Sequence, residues 1–155
     1  MEKVEPPKVV VRYLDGRVVK GHTQDFFPGK PGFHVRPYEV KSPGESVEVS
    51  FTDLKAVFFV KDFAGDVARR DLKGFIEAPG ETAQGKKLAV RFADGELLCG
   101  YSLTYSPERE GFFMFPASQG TNNLRVYVVT ATAAEIKAGP AAEALAQRVL
   151  SQRAA

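Results

Sequence analysis

Five polar side chains, Lys20, His22, Gln24, His34 and Arg36, form the group in this 155-residue chain whose types and spacing best suit recognition chemistry. Lys20, His22 and Gln24 alternate along one predicted strand, and His34 and Arg36 alternate along another. Side chains two apart on a strand share a face. Cationic and hydrogen-bonding groups presented together would hold an anionic or acidic partner. Two imidazoles among them would make that binding pH-sensitive, because histidine as a class changes charge near neutrality. The competing reading is a solvated strand face with no ligand.

Other chemistry finds less support. Two histidines and one cysteine without close ligand spacing predict no zinc site and no other metal. The chain has no G-x-S-x-G elbow, P-loop or dinucleotide fingerprint. Cys99 sits in an apolar stretch and reads as a small core residue, not a nucleophile. Asp15 and Asp94 both precede glycine, and turn geometry accounts for them without catalysis. The expectation is a protein that is not an enzyme and carries no cofactor.

The elements that must position the five residues are written twice. Val11-Arg12-Tyr13-Leu14-Asp15-Gly16 returns as Val90-Arg91-Phe92-Ala93-Asp94-Gly95, 79 residues later, and the spacing holds from Lys8/Lys87 to Pro37/Pro116. A period of this length marks a repeated folding unit. Each copy opens with a strand, an Asp-Gly turn expected to be type I′, and a second strand containing a glycine, Gly21 or Gly100, that suggests a bend. A third strand follows at Phe33–Arg36 and Phe112–Phe115. The fourth is expected at Ser46–Phe51 and Asn123–Val128, an offset of 77. The copies then part: Ala56–Phe63 reads as a fifth strand, whereas Thr132-Ala133-Ala134-Glu135 reads as a capping box opening a helix. After Gly139-Pro140 a second helix places Ala142, Leu145, Ala146, Val149 and Leu150 on one side.

These elements predict a mainly β fold: two tandem homologous bent sheets or small barrels in a pseudo-two-fold relation, with C-terminal helices. The boundaries are 8–63 for the first repeat, 64–86 for a linker with a short helix at Asp66–Leu72, 87–130 for the second repeat, and 131–153 for the helical segment. A type I′ register would put Leu88, Val90 and Phe92 on one face with Leu97, Cys99, Tyr101 and Leu103. The matching face of the first copy would carry Val9, Val11, Tyr13 and Val18, then Lys20, His22 and Gln24. Phe113 and Phe115 likewise correspond to His34 and Arg36. The second copy is therefore expected to bury, beneath its helices, a side that the first copy exposes.

Charge and composition narrow the partners. The net charge is +2, and residues 1–60 hold nine Lys/Arg against eight Asp/Glu, so there is no basic stripe and nucleic acid is not expected. One cysteine, no leader pattern and apolar runs no longer than Ala56–Val60 predict a cytoplasmic protein with no membrane span.

The hairpin at residues 11–21 resembles the opening of Sm-like and other SH3-like small barrels. The second motif of the Sm-like proteins is missing, so their RNA binding does not carry over. Residues 11–17 and 53–60, Val-Arg-Tyr-Leu-Asp-Gly-Arg and Asp-Leu-Lys-Ala-Val-Phe-Phe-Val, resemble an uncharacterised bacterial β domain found beside PilZ and other signalling modules. That likeness implies a regulatory or scaffolding role through a protein partner. The other expectation is a small anionic ligand such as cyclic di-GMP on the polar face of the first repeat, although neither the Arg-x-x-x-Arg nor the Asp-x-Ser-x-x-Gly segment of PilZ domains is intact.

Overall fold

A computed structural model describes residues 6–27, 29–38, 46–61, 63, 85–116 and 123–154. The linker helix expected at Asp66–Leu72 lies outside them. Ten antiparallel strands form one sheet: β1 (Lys8–Tyr13), β2 (Val18–His22), β3 (Gly32–Pro37), β4 (Val47–Ser50), β5 (Leu54–Val60), β6 (Lys86–Phe92), β7 (Leu97–Ser102), β8 (Gly111–Pro116), β9 (Asn123–Val129) and β10 (Ala133–Ala138). Among the described residues one α-helix, α1 (Pro140–Ala154), follows β10, where the sequence predicts more than one.

The order across the sheet is β10-β6-β7-β8-β9-β5-β1-β2-β3-β4. The first five strands run β5-β1-β2-β3-β4 and the second five β10-β6-β7-β8-β9, and β9 joins β5. Pairings recur at the 79-residue spacing of the sequence. Val10 faces Lys20 as Ala89 faces Cys99, Phe33 faces Val49 as Phe112 faces Val128, and Val11 faces Val57 as Val90 faces Ile136. The fourth strands therefore keep the offset of 79, and the expected 77 is corrected: a gap placed in the preceding loop paired residues that do not stand opposite the same partners. The junction pairs strands of different rank, so it does not by itself carry a two-fold axis.

The Asp-Gly turns also differ from expectation. Among the described residues positive φ is confined to glycine, including Gly16 at 95° and Gly95 at 89°, which excludes type I′ because that turn needs Asp15 and Asp94 at φ > 0 as well. Tyr13 N–H donates to Arg17 O at 3.0 Å and Gly16 N–H to Tyr13 O at 3.1 Å, and Phe92, Glu96 and Gly95 repeat the pattern. These are three-residue loops closed by a glycine bulge. Asp15 and Asp94 each accept the N–H two residues on, from Arg17 and Glu96, both at 3.0 Å.

The extra loop residue moves the register by one, which turns the second strand's side chains over. Val9 and Val11 therefore face their core with Val19, while Lys20 and His22 stand opposite Val10 and Lys8. In the second hairpin Leu88 and Val90 share a core with Leu98, whereas Cys99 and Tyr101 stand opposite Ala89 and Lys87. This replaces the faces inferred from a type I′ turn.

Three apolar clusters result. One fills the first five strands with Val9, Val11, Phe33, Val35, Val49, Val57 and Phe59, and β9 adds Tyr127 and Val129. A second fills the other five strands with Leu88, Val90, Phe92, Phe112 and Met114, and β5 adds Ala56, Phe58 and Val60. Every residue of β5 is consequently buried, which explains the apolar run Ala56–Val60 within it. The third cluster seats Ala142, Leu145, Ala146 and Val149 of α1 on Ala89, Leu97, Cys99 and Tyr101. A helix thus covers the outer side of β6–β7, over Ala89, Leu97, Cys99 and Tyr101 and not over the expected Leu88, Val90 and Phe92.

The capping-box reading of Thr132–Glu135 is overturned. Thr132 Oγ1 donates to Leu54 O at 2.7 Å and to Val129 O at 3.2 Å instead of accepting a helical N–H. Glu135 reaches Arg91 at 3.3 Å and Arg148 at 2.6 Å. A single 3-10 turn spans Thr130–Thr132, residues 133–138 pair with β6, and α-helix begins only at Pro140, so the helical boundary at 131 moves. Local helix preference yields here to the open edge of β6.

Candidate functional site

The polar face of the first five strands contains a concave site. His22 of β2 stands directly opposite Arg36 of β3, and His34 lies two residues before Arg36. These three outward side chains line a cleft of about 470 Å³ together with Gln24, Asp25, Pro6 and Ser46. A volume in this range suits a small ligand. The inward residues of β3, Phe33 and Val35, anchor it in the core, so the alternation of the strand aims His34 and Arg36 outward.

Close backbone approach sets the spacing of β2 and β3. A Cβ at Gly21 would overlap the Arg36 carbonyl oxygen, and one at Gly100 would overlap that of Phe115. Glycine is needed at both positions for the same steric reason, which accounts for the paired mid-strand glycines.

Four of the five expected residues, His22, Gln24, His34 and Arg36, come together in the cleft. Lys20 does not join them. Its Nζ donates to the Phe63 carbonyl at 3.1 Å, and the Phe63 ring meets His22 edge-on at 5.2 Å and stacks on Tyr38 at 4.3 Å. Lys20 therefore ties the chain leaving β5 to the outer side of β2.

Asp25 is the residue that sequence reasoning missed. Its Oδ2 lies 2.7 Å from His34 Nδ1, and its Oδ1 accepts the His34 backbone N–H at 2.8 Å. Thr23 is buried and donates to His34 O at 2.9 Å. Burial alone would raise the Asp25 carboxyl, but the His34 backbone and ring donors outweigh it and hold Asp25 below the usual carboxylate range. The available signal was Thr23-x-Asp25, a pair of turn-forming residues directly after a strand.

The other residues weighed from sequence take structural roles. Cys99 is buried, and desolvation pushes its thiol up to about 12, which leaves it without thiolate character. The backbone N–H of Arg17 is the main cause holding Asp15 below the carboxylate range. Asp94 is lowered too: burial opposes this, while the Lys55 ammonium and the Glu96 N–H favour it. Lys55, buried on β5, donates to Asp94 at 2.8 Å and also pairs with Glu96, so β5 is tied to the second hairpin. Among the described residues there is no cluster of three or more metal-ligating side chains, and no helix is long and apolar enough to cross a membrane.

No curated protein and no solved structure matches the chain. A family description does match, over residues 5–138, from before β1 to the end of β10. By that match the chain belongs to DUF6982, a family of unknown function.

Proposed function

We propose that this protein is a non-catalytic binding module and that its ligand is a small anion seated in the cleft of β2 and β3. The observation that carries this reading is the convergence of His22, His34, Arg36 and Gln24 on one concavity of about 470 Å³. The guanidinium supplies a planar set of donors suited to carboxylate or phosphate. The outer face of β6–β7, by contrast, is closed by α1, so any selectivity between the two halves rests with the first. We also infer that the two sets of five strands are tandem copies of one small barrel, a reading supported by the recurring registers. A regulatory place in bacterial signalling, in the cytoplasm, is supported by the sequence resemblance.

A thermal-shift panel of nucleotides and dicarboxylates, cyclic di-GMP included, tests the reading. Stabilisation lost in Arg36→Ala is expected. No stabilisation by any anion would sink it. A second reading, docking of a protein partner on the same half, is favoured by exposed Phe27 and Tyr38 flanking β3 in the chain. Co-purification that survives Arg36→Ala but fails in a Phe27→Ser, Tyr38→Ser double variant would support that reading instead.

A further inference from the structure

The Asp25–His34 pair narrows the ligand. We propose that the cleft takes the terminal phosphate of a small phosphomonoester, with Arg36 and His34 Nε2–H as its principal donors and Asp25 as the residue that positions His34. This rests on the small-anion reading above and specifies its chemistry.

Two observations favour a terminal phosphate over a bridging one. First, His34 is fixed through two separate contacts with Asp25, ring and backbone, so its Nδ1 is committed and Nε2 is the nitrogen left for a ligand. Second, His22 and Arg36 stand opposite each other, with His34 next along the same face of β3, so donors from both strands border one cleft. A terminal phosphate offers three peripheral oxygens to such an array, whereas a diester offers two and one charge. Among the described residues the charged and titratable groups around His34 are Asp25 from the segment after β2, Glu48 directly opposite on β4, Arg36 on β3, His22 on β2 and Lys8 opposite His22 on β1.

The Asp25 contact resembles the partner that orients imidazoles in catalytic and metal sites. Here it sets a donor, and no bond is made or broken. Asp25 is a positioning residue, so its test needs a readout that a purely structural role would not move. That readout is the preference for the monoester over the cyclic diester.

The experiment is calorimetric titration of the full chain at pH 7.5 with a nucleoside 5′-monophosphate, the matching 3′,5′-cyclic monophosphate, and inorganic phosphate. The monoester is expected to bind at least about tenfold more tightly than the cyclic diester, a difference of about 1.4 kcal/mol. Arg36→Ala should abolish binding. Asp25→Asn should narrow the preference for the monoester, and His34→Gln, which keeps a donor without the ring that Asp25 holds, should narrow it as well while the circular dichroism spectrum stays unchanged. Equal binding of the cyclic diester, or a preference unmoved in both variants, overturns the proposal. If dicarboxylates or cyclic di-GMP bind through Arg36 and monoesters do not, the small-anion reading stands and this one fails. If no anion binds, both fail.

Discussion

Phe58 and Lys137 occupy matching places in the sheet, and truncating each to alanine tests what holds the two halves together. Phe58 on β5 stands between Val10 on β1 and Val126 on β9, whereas Lys137 on β10 stands opposite Ala89 on β6, at an open edge of the described sheet. Phe58 is 8% exposed and belongs to the core of the other half, beside Val126, Val128 and Met114. Phe58→Ala removes a ring from a packed interior and should cost about 3–5 kcal/mol. Lys137→Ala touches an exposed side chain and should stay within about 0.5 kcal/mol. With a urea slope of about 2 kcal/mol/M, the midpoints of the two variants should differ by about 1.5–2.5 M. Equilibrium urea unfolding followed by circular dichroism gives both numbers. A loss below about 1 kcal/mol for Phe58→Ala, or equal losses for the pair, would refute the reasoning that β5 is the shared wall of both cores. The same comparison explains why the sheet stops where it does. At the free ends the places held at the junction by the buried Ala56, Phe58, Tyr127 and Val129 are taken by Glu135, Lys137, Glu48 and Ser50. Charge at an open edge discourages a further strand from adding.

Other outcomes follow from single features. Gly16→Ala meets no neighbouring atom and should cost only the strain of its positive φ, about 1–2 kcal/mol, while Gly21→Ala collides with the Arg36 carbonyl and should cost more, as thermal unfolding of both would measure. Stability should fall on acidification. Asp25, Asp94 and Glu135 are held below their unfolded values, so their contribution is present above those values and is lost as the pH drops through the folded ones. Arg148, the main cause of the shift at Glu135, gives a control: Arg148→Ala should shallow the acid limb of melting temperature against pH. Cys99 should resist a disulfide thiol reagent at pH 8 in the folded protein and react fully in denaturant.

Much of this was legible in the chain. The 79-residue spacing, the Asp-Gly hairpins, the bend glycines and the apolar side of α1 are local signals, because each depends on residues near one another in sequence. Four of the cleft residues were also legible, since strand alternation needs no knowledge of partners. The contact of Lys20 with the Phe63 carbonyl could not be read from the sequence because the two residues are 43 apart. Asp25 was overlooked because its role exists only once the segment after β2 folds back on β3.

By itself the sequence determined that strands and hairpins form, where glycine must stand, and which half is open to solvent on its outer side. Tertiary structure alone decided the register and the junction. Asp-Gly fits both a two-residue turn and a three-residue loop, since each needs positive φ at the glycine, and only the completed ladder selects between them. Residues 132–135 fit a helix start until the edge of β6 supplies hydrogen-bond partners that a helix at that position would leave unmet. Non-local pairing outweighs local preference there, and that pairing makes two halves into one sheet.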